Sequence, residues 1–225
     1  DEKDIPVRNN REVKIHWKGK ELTGDDIRQL FLERHTKMLV VCNTVAKAQE
    51  IYKELTDNPP CRKDRIKLLH SRFLPKDRSK KEKWIHKHFG EKSGPESRIL
   101  IATQVIEAGL DISAPLLLTE LAPVDSLIQR AWRCAPWGDQ GEVLVYDVSY
   151  PAPYRKDLVE ATRKLLDEHS GSQLDWETEK KWVDEILNYE AEKYLNSTAR
   201  AAVLSKLSEA AFQRDRNLAA KAVRD

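Results

Sequence analysis

The chain has 225 residues, of which 40% are hydrophobic and 34% are charged, with a formal net charge of +2. No apolar run approaches the roughly 18 residues that a spanning helix needs, so we predict a globular protein without a membrane segment. Cys42, Cys61 and Cys134 are in no metal-ligand spacing, which indicates packing roles and a reducing cytoplasm. The chain begins DEKDIPV and its only methionine is Met38, so we expect a piece of a longer protein or a processed form.

Charge is unevenly distributed along the chain. Residues 62–92 contain twelve Lys or Arg against four acidic residues, whereas residues 155–192 contain eleven acidic residues against six Lys or Arg. A local basic excess is typical of phosphate-binding surfaces. The alternative is a solvated helix face on which the lysines serve solubility only.

The predicted elements alternate between strand and helix. Residues 1–36 form a polar connecting segment that ends in a short helix, Asp25–His35, after the capping signal LTGDD. Short apolar runs then predict five strands, and the stretches between them predict helices. Residues 151–225 show only helical patterns. The five predicted strands are Met38–Cys42, Ile66–Leu69, Arg98–Ala102, Leu116–Thr119 and Glu142–Val148.

This order of elements predicts an α/β fold. Strands that alternate with helices form a parallel sheet with right-handed crossovers, and fully apolar strands indicate helices on both faces. We therefore expect a three-layer sandwich with a mainly parallel sheet over residues 37–150. A C-terminal helical extension is expected over residues 151–225.

Common signatures of ATP and metal binding are missing from the sequence. There is no G-x-x-x-x-G-K-[ST] motif to cradle ATP phosphates, and no acidic tetrad follows a strand to hold magnesium. The six histidines form no His-Asp dyad and no HxxxH motif. We therefore predict no metal site in this chain.

Polar residues follow the first two predicted strands, at the end where parallel sheets bind their ligands. Asn43 and Thr44 precede a helix whose free N-terminal amides suit a backbone phosphate, and a plain N-cap is the alternative. Ser71 and Arg72 follow His70 inside the basic region, and both side chains are suited to phosphate contacts. His70 itself is equally well explained as a turn residue.

Polar residues also follow the third predicted strand. Thr103 and Gln104 end the strand, and a tight turn with Gly109 and Asp111 comes next. Gly109 permits a close backbone approach, and Asp111 can accept hydrogen bonds from a ribose hydroxyl. One such loop is a moderate signal, because many α/β proteins have it.

Gln129, Arg130 and Arg133 lie on one helical segment after the fourth predicted strand. Arg130 and Arg133 are three residues apart and therefore share a helix face. An arginine that reaches a γ-phosphate stabilises the charge of the transition state. A surface ion pair with acids of the same helix is the alternative, but polar clusters after four successive strands favour phosphate binding.

Four blocks of the sequence resemble one helicase family. They are LVVCNTVAKAQEIYKEL, IKLLHSRFLPKDR, ILIATQVIEAGLDIS and TELAPVDSLIQRAWRCAPWG, all within residues 37–150. Together they resemble the second RecA-like domain of the CRISPR-associated helicase–nuclease, a superfamily 2 helicase of type I CRISPR interference.

The resemblance implies an ATP-dependent DNA translocase of antiviral defence that moves on single-stranded DNA and feeds an HD nuclease domain. ATP with Mg would bind jointly with a first RecA-like lobe, and a CRISPR surveillance complex would be a partner. Because the P-loop, DExH box and nuclease are not in this sequence, the isolated chain is expected to be inactive. The resemblance assigns DNA contacts to Asn43, Thr44, Ser71, Arg72, Thr103 and Gln104, nucleotide contacts to Gly109, Asp111, Gln129, Arg130 and Arg133, and the catalytic role to Arg133 and Arg130.

Two residues depart from the family pattern Q-R-x-G-R-x-x-R. Trp132 replaces its glycine, and Pro136, which offers no charge and no donor, replaces its last arginine. Three explanations are open: a degenerate, inactive motor, a different arginine finger such as Arg130, or a change in the sequence itself. The rival function is a non-catalytic module that binds nucleic acid or a partner, and an RNA helicase lobe is a third option.

Overall fold

Six strands pair side by side, all in parallel, to form one sheet. The computed structural model describes residues 12–107, 109–136 and 140–195. In chain order the strands are β1 (Glu12–Glu21), β2 (Met38–Val41), β3 (Ile66–Leu69), β4 (Ile99–Ala102), β5 (Leu116–Glu120) and β6 (Gln140–Asp147), and their order across the sheet is β1-β6-β5-β2-β4-β3.

Six α-helices connect and follow these strands in the part of the chain that the structure describes. The chain divides into two compact units, residues 1–182 and 183–225, and the whole sheet lies in the first. The predicted domain boundary at residue 150 stays a prediction. The helices are α1 (Gly24–Arg34), α2 (Val45–Asp57), α3 (Pro75–Phe89), α4 (Val124–Ala131), α5 (Lys156–His169) and α6 (Trp176–Leu195).

Local sequence signals explain where the first three helices begin. Thr23 accepts a hydrogen bond from the Asp26 N–H, and the Asp26 carboxylate accepts one from the Thr23 N–H, which is a reciprocal capping box for α1. Thr44 caps α2 through its side chain. Pro75 occupies the first turn of α3, where its missing N–H costs nothing.

Helices cover both faces of the sheet. On one face Ile27 and Phe31 of α1 and Ile51 of α2 pack into a buried apolar cluster with strand residues. In the sheet, β3 lies two positions from β2 in the direction of the β3 edge. The next strand, β4, lies one position back in the opposite direction. Right-handed crossovers therefore put α2 and α3 on opposite faces. Every residue of β2, β4 and β5 is buried, as a sheet covered on both sides requires.

The predicted α/β sandwich is confirmed, and each of the five predicted strands is present. The additional strand β1 lies within the stretch that was predicted as a connecting segment. It is an edge strand beside β6, with Val13 and Ile15 buried and the exposed Lys14 between them. The sequence analysis identified strands as continuous apolar runs. It missed β1 because polar and apolar residues alternate in this strand. No helix in the described residues is long and apolar enough to cross a bilayer.

Candidate nucleotide and nucleic-acid interface

The parallel register brings several predicted site residues to one edge of the sheet. Val41, at the end of β2, pairs with Ala102 of β4 on one side and with Thr119 of β5 on the other. Because these strands end together, the turns that follow them are neighbours. Asn43 and Gln104, which come from two such turns, are joined directly by a hydrogen bond.

Asn43 is held from three sides immediately after β2. Its backbone N–H donates to Oε2 of Glu120 at 2.6 Å, its side-chain Nδ2 donates to the carbonyl of Leu121 at 2.7 Å, and its own carbonyl accepts from Nε2 of Gln104 at 2.7 Å. Its Oδ1 is the one buried side-chain N or O atom without a hydrogen-bond partner among the described residues. A phosphate oxygen has no proton to offer this acceptor, so Asn43 is suited to shaping the turn.

Thr44 and the first turn of α2 offer hydrogen-bond donors for a phosphate, whereas the donors of Asn43 are already used within the protein. The Thr44 hydroxyl oxygen accepts from the Lys47 N–H at 3.1 Å, which leaves its own proton available to an incoming phosphate. The N–H groups at the start of α2 are unpaired within the helix, and its dipole favours an anion there. Thr44 is half-buried at this position.

The turn after β3 is an exposed cationic loop supported by a buried histidine. His70 is 4% exposed, stacks on Phe73 with ring centres 4.1 Å apart, and accepts the Arg72 N–H at Nδ1. Burial, together with the charges of Lys81 and Arg72, lowers the pKa of His70. Ser71 and Arg72 are both exposed, so their side chains are open to a ligand.

The turn after β4 contains Thr103 and Gln104. Thr103 is 2% exposed, and Gln104 begins a 3₁₀ turn that extends to Ile106. The Gln104 Nε2 donates to the Asn43 carbonyl and also to the hydroxyl of Tyr154 at 3.2 Å. Both predicted DNA-contact residues are therefore placed mainly by contacts within the protein.

Arg130 is entirely buried, with 0% of its surface exposed. Its Nε pairs with Oε1 of Glu107 at 2.9 Å, and NH1 donates to Oγ1 of Thr119 at 2.7 Å and to the carbonyl of Glu120 at 3.1 Å. NH2 donates to the hydroxyl of Tyr154 at 2.7 Å. Four of its five N–H donors thus have protein acceptors, and this arrangement favours a structural role over contact with a nucleotide.

Arg133 reaches the same turn as Arg130 but remains half-buried. Its Nε donates to the carbonyl of Ile106 at 3.0 Å, and its NH2 donates to the carbonyl of Glu107 at 2.9 Å. The two arginines therefore hold one turn from two directions, Arg130 through the Glu107 carboxylate and Arg133 through backbone oxygens. Because Arg133 is half-buried whereas Arg130 is entirely buried, Arg133 is the better candidate of the two for an anionic ligand.

The remaining predicted nucleotide contacts are open to solvent. Gly109 has φ +78°, and a Cβ added there would meet no atom within 4 Å. Asp111 and Gln129 are exposed. All three residues are therefore accessible to a ligand, but the structure does not show that they form one site.

The two departures from the family pattern are accommodated differently. Trp132 is 41% exposed, and its Nε1 donates to Oε2 of Glu179 at 3.0 Å. Its φ of −65° suits any residue, so the backbone does not require the family's glycine at this position. Pro136 is buried in the turn before β6, and it has no polar side-chain atom to offer a phosphate.

Four residues that form hydrogen bonds with Asn43 or Arg130 were not recognised from the sequence as their partners. They are Glu107, Thr119, Glu120 and Tyr154. The polar pair Thr119-Glu120 at the end of an otherwise apolar strand was a usable signal, whereas nothing in the sequence around Tyr154 singles it out.

Burial raises the pKa of Glu120, and the Asn43 N–H, Lys47 and Arg130 oppose that increase. The described residues contain no group of three or more His, Cys, Asp or Glu that could hold a metal ion.

Comparison with known proteins gives consistent matches. The family described as "CRISPR-associated nuclease/helicase Cas3, C-terminal" matches residues 34–135. The CRISPR-associated helicase Cas3 of Thermoproteus tenax is 34% identical over 185 residues, which are 80% of this chain and 30% of that protein. This chain thus spans less than a third of the length of that relative.

Solved structures share the fold. The crystal structure of T. fusca Cas3-ADP matches with a TM-score of 0.71 at 22% identity, over 99% of this chain and 28% of that chain. A chain of a structure described as "CRISPR RNA-guided surveillance complex, pre-nicking" matches with a TM-score of 0.62 at 26% identity, over 95% of this chain and 28% of the other. With the matching sequence motifs, these similarities show that the chain belongs to the Cas3 helicase family, of which it forms the C-terminal, RecA-like lobe.

Proposed function

We propose that this chain is the second lobe of an ATP-driven translocase that moves on single-stranded DNA in CRISPR interference. The observation that carries the proposal is the shared turn Gln104–Glu107. Arg130 and Arg133 bind one side of this turn, and Gln104 on the same turn binds Asn43, the first residue of the proposed DNA side. One rigid segment thus connects the proposed nucleotide and DNA surfaces.

On the nucleotide side we assign the arginine finger to Arg133. It is half-buried, and its Nε and NH2 donate to the carbonyls of Ile106 and Glu107, which hold the guanidinium in place. A guanidinium held in this way can stabilise the charge that develops on a transferred γ-phosphoryl group. Gly109, Asp111 and Gln129 would line the rim of the same cleft. Arg130 is assigned a positioning role, because its donors are already occupied by protein acceptors.

On the DNA side we assign backbone-phosphate contacts to Thr44, to the amides of α2, and to Ser71 and Arg72. Asn43, Thr103 and Gln104 would shape this surface. The basic stripe, which we define as Lys76, Lys80, Lys83 and Lys87 of α3, follows directly in sequence and is exposed throughout. Phosphate contacts of this kind position a nucleic acid without reading its sequence.

The remaining parts of the motor would come from a first lobe. Its P-loop and acidic box would hold ATP and Mg. The similarity to Cas3-ADP supports nucleotide binding by the assembled pair, and the similarity to a chain of a CRISPR surveillance complex supports that complex as a partner. A cytoplasmic location and cooperation with an HD nuclease domain are part of the same proposal.

A non-catalytic binding module is the second candidate function. It is favoured by Pro136, which supplies no charge where the family pattern has its last arginine. In this case the lobe would bind nucleic acid or a partner protein, and ATP would not be turned over.

ATP hydrolysis by the full-length protein separates the two functions. We would measure it with and without single-stranded DNA for the wild type, for Pro136→Arg, and for a Trp132→Gly/Pro136→Arg double variant. Strong DNA-stimulated hydrolysis by the wild type supports the motor with Arg133 as its finger. Hydrolysis by the variants alone would identify a disabled motor lobe whose role is binding.

A further inference from the structure

Tyr154 lies outside every helicase motif of this chain, yet its hydroxyl joins two of them. It belongs to the turn between β6 and α5. Its oxygen accepts a hydrogen bond from NH2 of Arg130 at 2.7 Å and another from Nε2 of Gln104 at 3.2 Å. Both lone pairs of the hydroxyl are therefore used, and the Arg130 guanidinium also lies 5.9 Å from the centre of the tyrosine ring.

These contacts form part of a closed ring of hydrogen bonds through five residues. From Tyr154 the ring passes to Gln104, which donates to the Asn43 carbonyl at 2.7 Å. The Asn43 N–H donates to the Glu120 carboxylate at 2.6 Å, and the Glu120 carbonyl accepts from NH1 of Arg130 at 3.1 Å. The bond from Arg130 to Tyr154 closes the ring.

Three of the five members of the ring lie in a region of low dielectric constant. Arg130 is 0% exposed, Asn43 is 4% exposed and Glu120 is 8% exposed. Hydrogen bonds in such surroundings are stronger than in water, and each member polarises the next. A displacement or a constraint at one member therefore affects its neighbours, so the proposed nucleotide and DNA sides are mechanically coupled.

Tyr154 is the member that can be removed most cleanly. Arg130 is also held by Glu107, and Asn43 is also held by Leu121. Tyr154 is half-buried, and removal of its hydroxyl oxygen breaks two sides of the ring without creating a buried charge.

We propose that Tyr154 is a positioning residue that couples DNA binding to ATP hydrolysis. The proposal rests on the function proposed above. When DNA engages the Asn43–Thr44 turn, the position of Gln104 is fixed, and Tyr154 transmits this constraint to Arg130. Because Arg130 and Arg133 hold the same turn, the constraint also fixes the guanidinium that would face the γ-phosphate.

The test compares Tyr154→Phe with the wild type in the full-length protein that contains both lobes. The measured quantity is the ratio of the DNA-stimulated kcat to the kcat without DNA. We expect this ratio to fall by about fivefold or more, which is the lower range of typical coupling between sites. A merely structural role would reduce both rates in proportion and leave the ratio unchanged.

Two further variants make the comparison specific. Tyr150→Phe removes the same atom from a side chain that is 76% exposed, and it should leave the ratio at the wild-type value. Gln104→Met keeps the approximate size of the side chain but cannot donate a hydrogen bond. If both residues act through one ring, Tyr154→Phe combined with Gln104→Met should lower the ratio little more than either change alone.

Hydrogen exchange supplies a readout that does not need activity. In Tyr154→Phe we expect faster exchange in peptides that cover Asn43, at the far side of the ring, and no such change in Tyr150→Phe. An unchanged ratio in stably folded Tyr154→Phe, with unchanged exchange at Asn43, would overturn the coupling role while the motor function stands. If the wild type itself shows no DNA-stimulated hydrolysis, the proposed function fails first, and the coupling role fails with it.

Discussion

Trp132 and Glu179 join the turn after α4 to the first part of α6 through a hydrogen bond of 3.0 Å from the indole Nε1 to Oε2. Glu179 is only 5% exposed, whereas the indole is 41% exposed. The large ring at the position of the family's glycine is therefore partly open to solvent, and its N–H has a buried acceptor. It adds a link between the arginine-bearing segment and the helical extension.

We expect Trp132→Phe to lower the free energy of unfolding by about 1–2 kcal/mol, because the buried Glu179 carboxylate loses this donor while most of the ring is retained. Urea unfolding of the chain measures the change. Trp176→Phe is the matched control, since that indole is 68% exposed, and it should change stability by no more than about 0.5 kcal/mol. Equal effects of the two substitutions would show that the Trp132 bond does not stabilise the fold.

Arg130 and Arg133 should respond differently to the same conservative change. Arg130→Lys replaces a fully buried guanidinium, and a single ammonium cannot reach the four acceptors that it contacts. We expect a loss of about 3 kcal/mol or more in the free energy of unfolding, as for other broken buried pairs. Urea unfolding of the chain is the measurement.

Arg133→Lys should act mainly on catalysis. The side chain is half-buried and bonded to two neutral carbonyls, so we expect a stability loss of about 1–2 kcal/mol. In the full-length protein the DNA-stimulated kcat should fall by about 10³-fold, as when an arginine finger is lost. A stable Arg130→Lys variant that abolishes hydrolysis, beside an active Arg133→Lys variant, would reverse the two assignments.

Sequence patterns were sufficient for the buried strands, and they failed where the decisive contacts are long-range. The run MLVVC identifies β2 because a strand buried on both faces must be continuously apolar. Strand β1 was missed because its buried residues alternate with exposed polar ones, so it contains no continuous apolar run. Its register beside β6 depends on pairs such as Val13 with Gly141, which no local pattern specifies.

The burial of Arg130 was equally inaccessible from the sequence. The predicted shared helix face is wrong, because α4 ends at Ala131 and Arg133 lies in the turn beyond it, although both arginines reach the turn Gln104–Glu107. Which of the two is buried depends on Tyr154, 24 residues further along the chain, and on the end of β5. A helical pattern specifies which residues share a face, and only the tertiary fold determines what that face contacts.

The basic stripe of α3 should determine part of the salt dependence of DNA binding. Its four lysines are exposed, lie on one helix face at spacings of four, three and four, and make no ion pair among the described residues. Each phosphate contact on single-stranded nucleic acid contributes about 0.7 to the slope of log K against log salt concentration. Replacing all four by Gln should therefore lower the slope by about 2–3, measured by fluorescence anisotropy with a labelled oligonucleotide.

The matched control for the basic stripe replaces four exposed lysines elsewhere, namely Lys18, Lys53, Lys164 and Lys180, by Gln. This variant has the same net charge as the stripe variant but leaves α3 intact, so its slope should remain close to that of the wild type. Equal slopes for the two variants would mean that the lysines of α3 act only through the total charge of the protein. In that case the stripe is a solvated face and not a DNA contact.

His70 should make the fold less stable under mildly acidic conditions. Burial and the cations Lys81 and Arg72 lower its pKa, and its Nδ1 accepts the Arg72 N–H, so the folded protein keeps the neutral ring. The unfolded chain binds the proton more readily. The stabilisation is therefore complete above the unfolded pKa of about 6.5, and it decreases as the pH falls from there towards the lowered folded pKa.

We expect the free energy of unfolding of the wild type to fall more steeply between about pH 8 and about pH 5.5 than that of His70→Asn. Asparagine can still accept the Arg72 N–H through its Oδ1 but does not titrate in this range. The variant should be less stable than the wild type at the upper pH, because the stack on Phe73 is lost, and this constant difference does not affect the slope. Burial also lowers the pKa of His88. The same comparison of pH slopes between the wild type and His88→Asn therefore measures how much of the acid sensitivity comes from His88. If the His70→Asn profile parallels that of the wild type, protonation of His70 does not oppose folding, and another group accounts for any acid sensitivity.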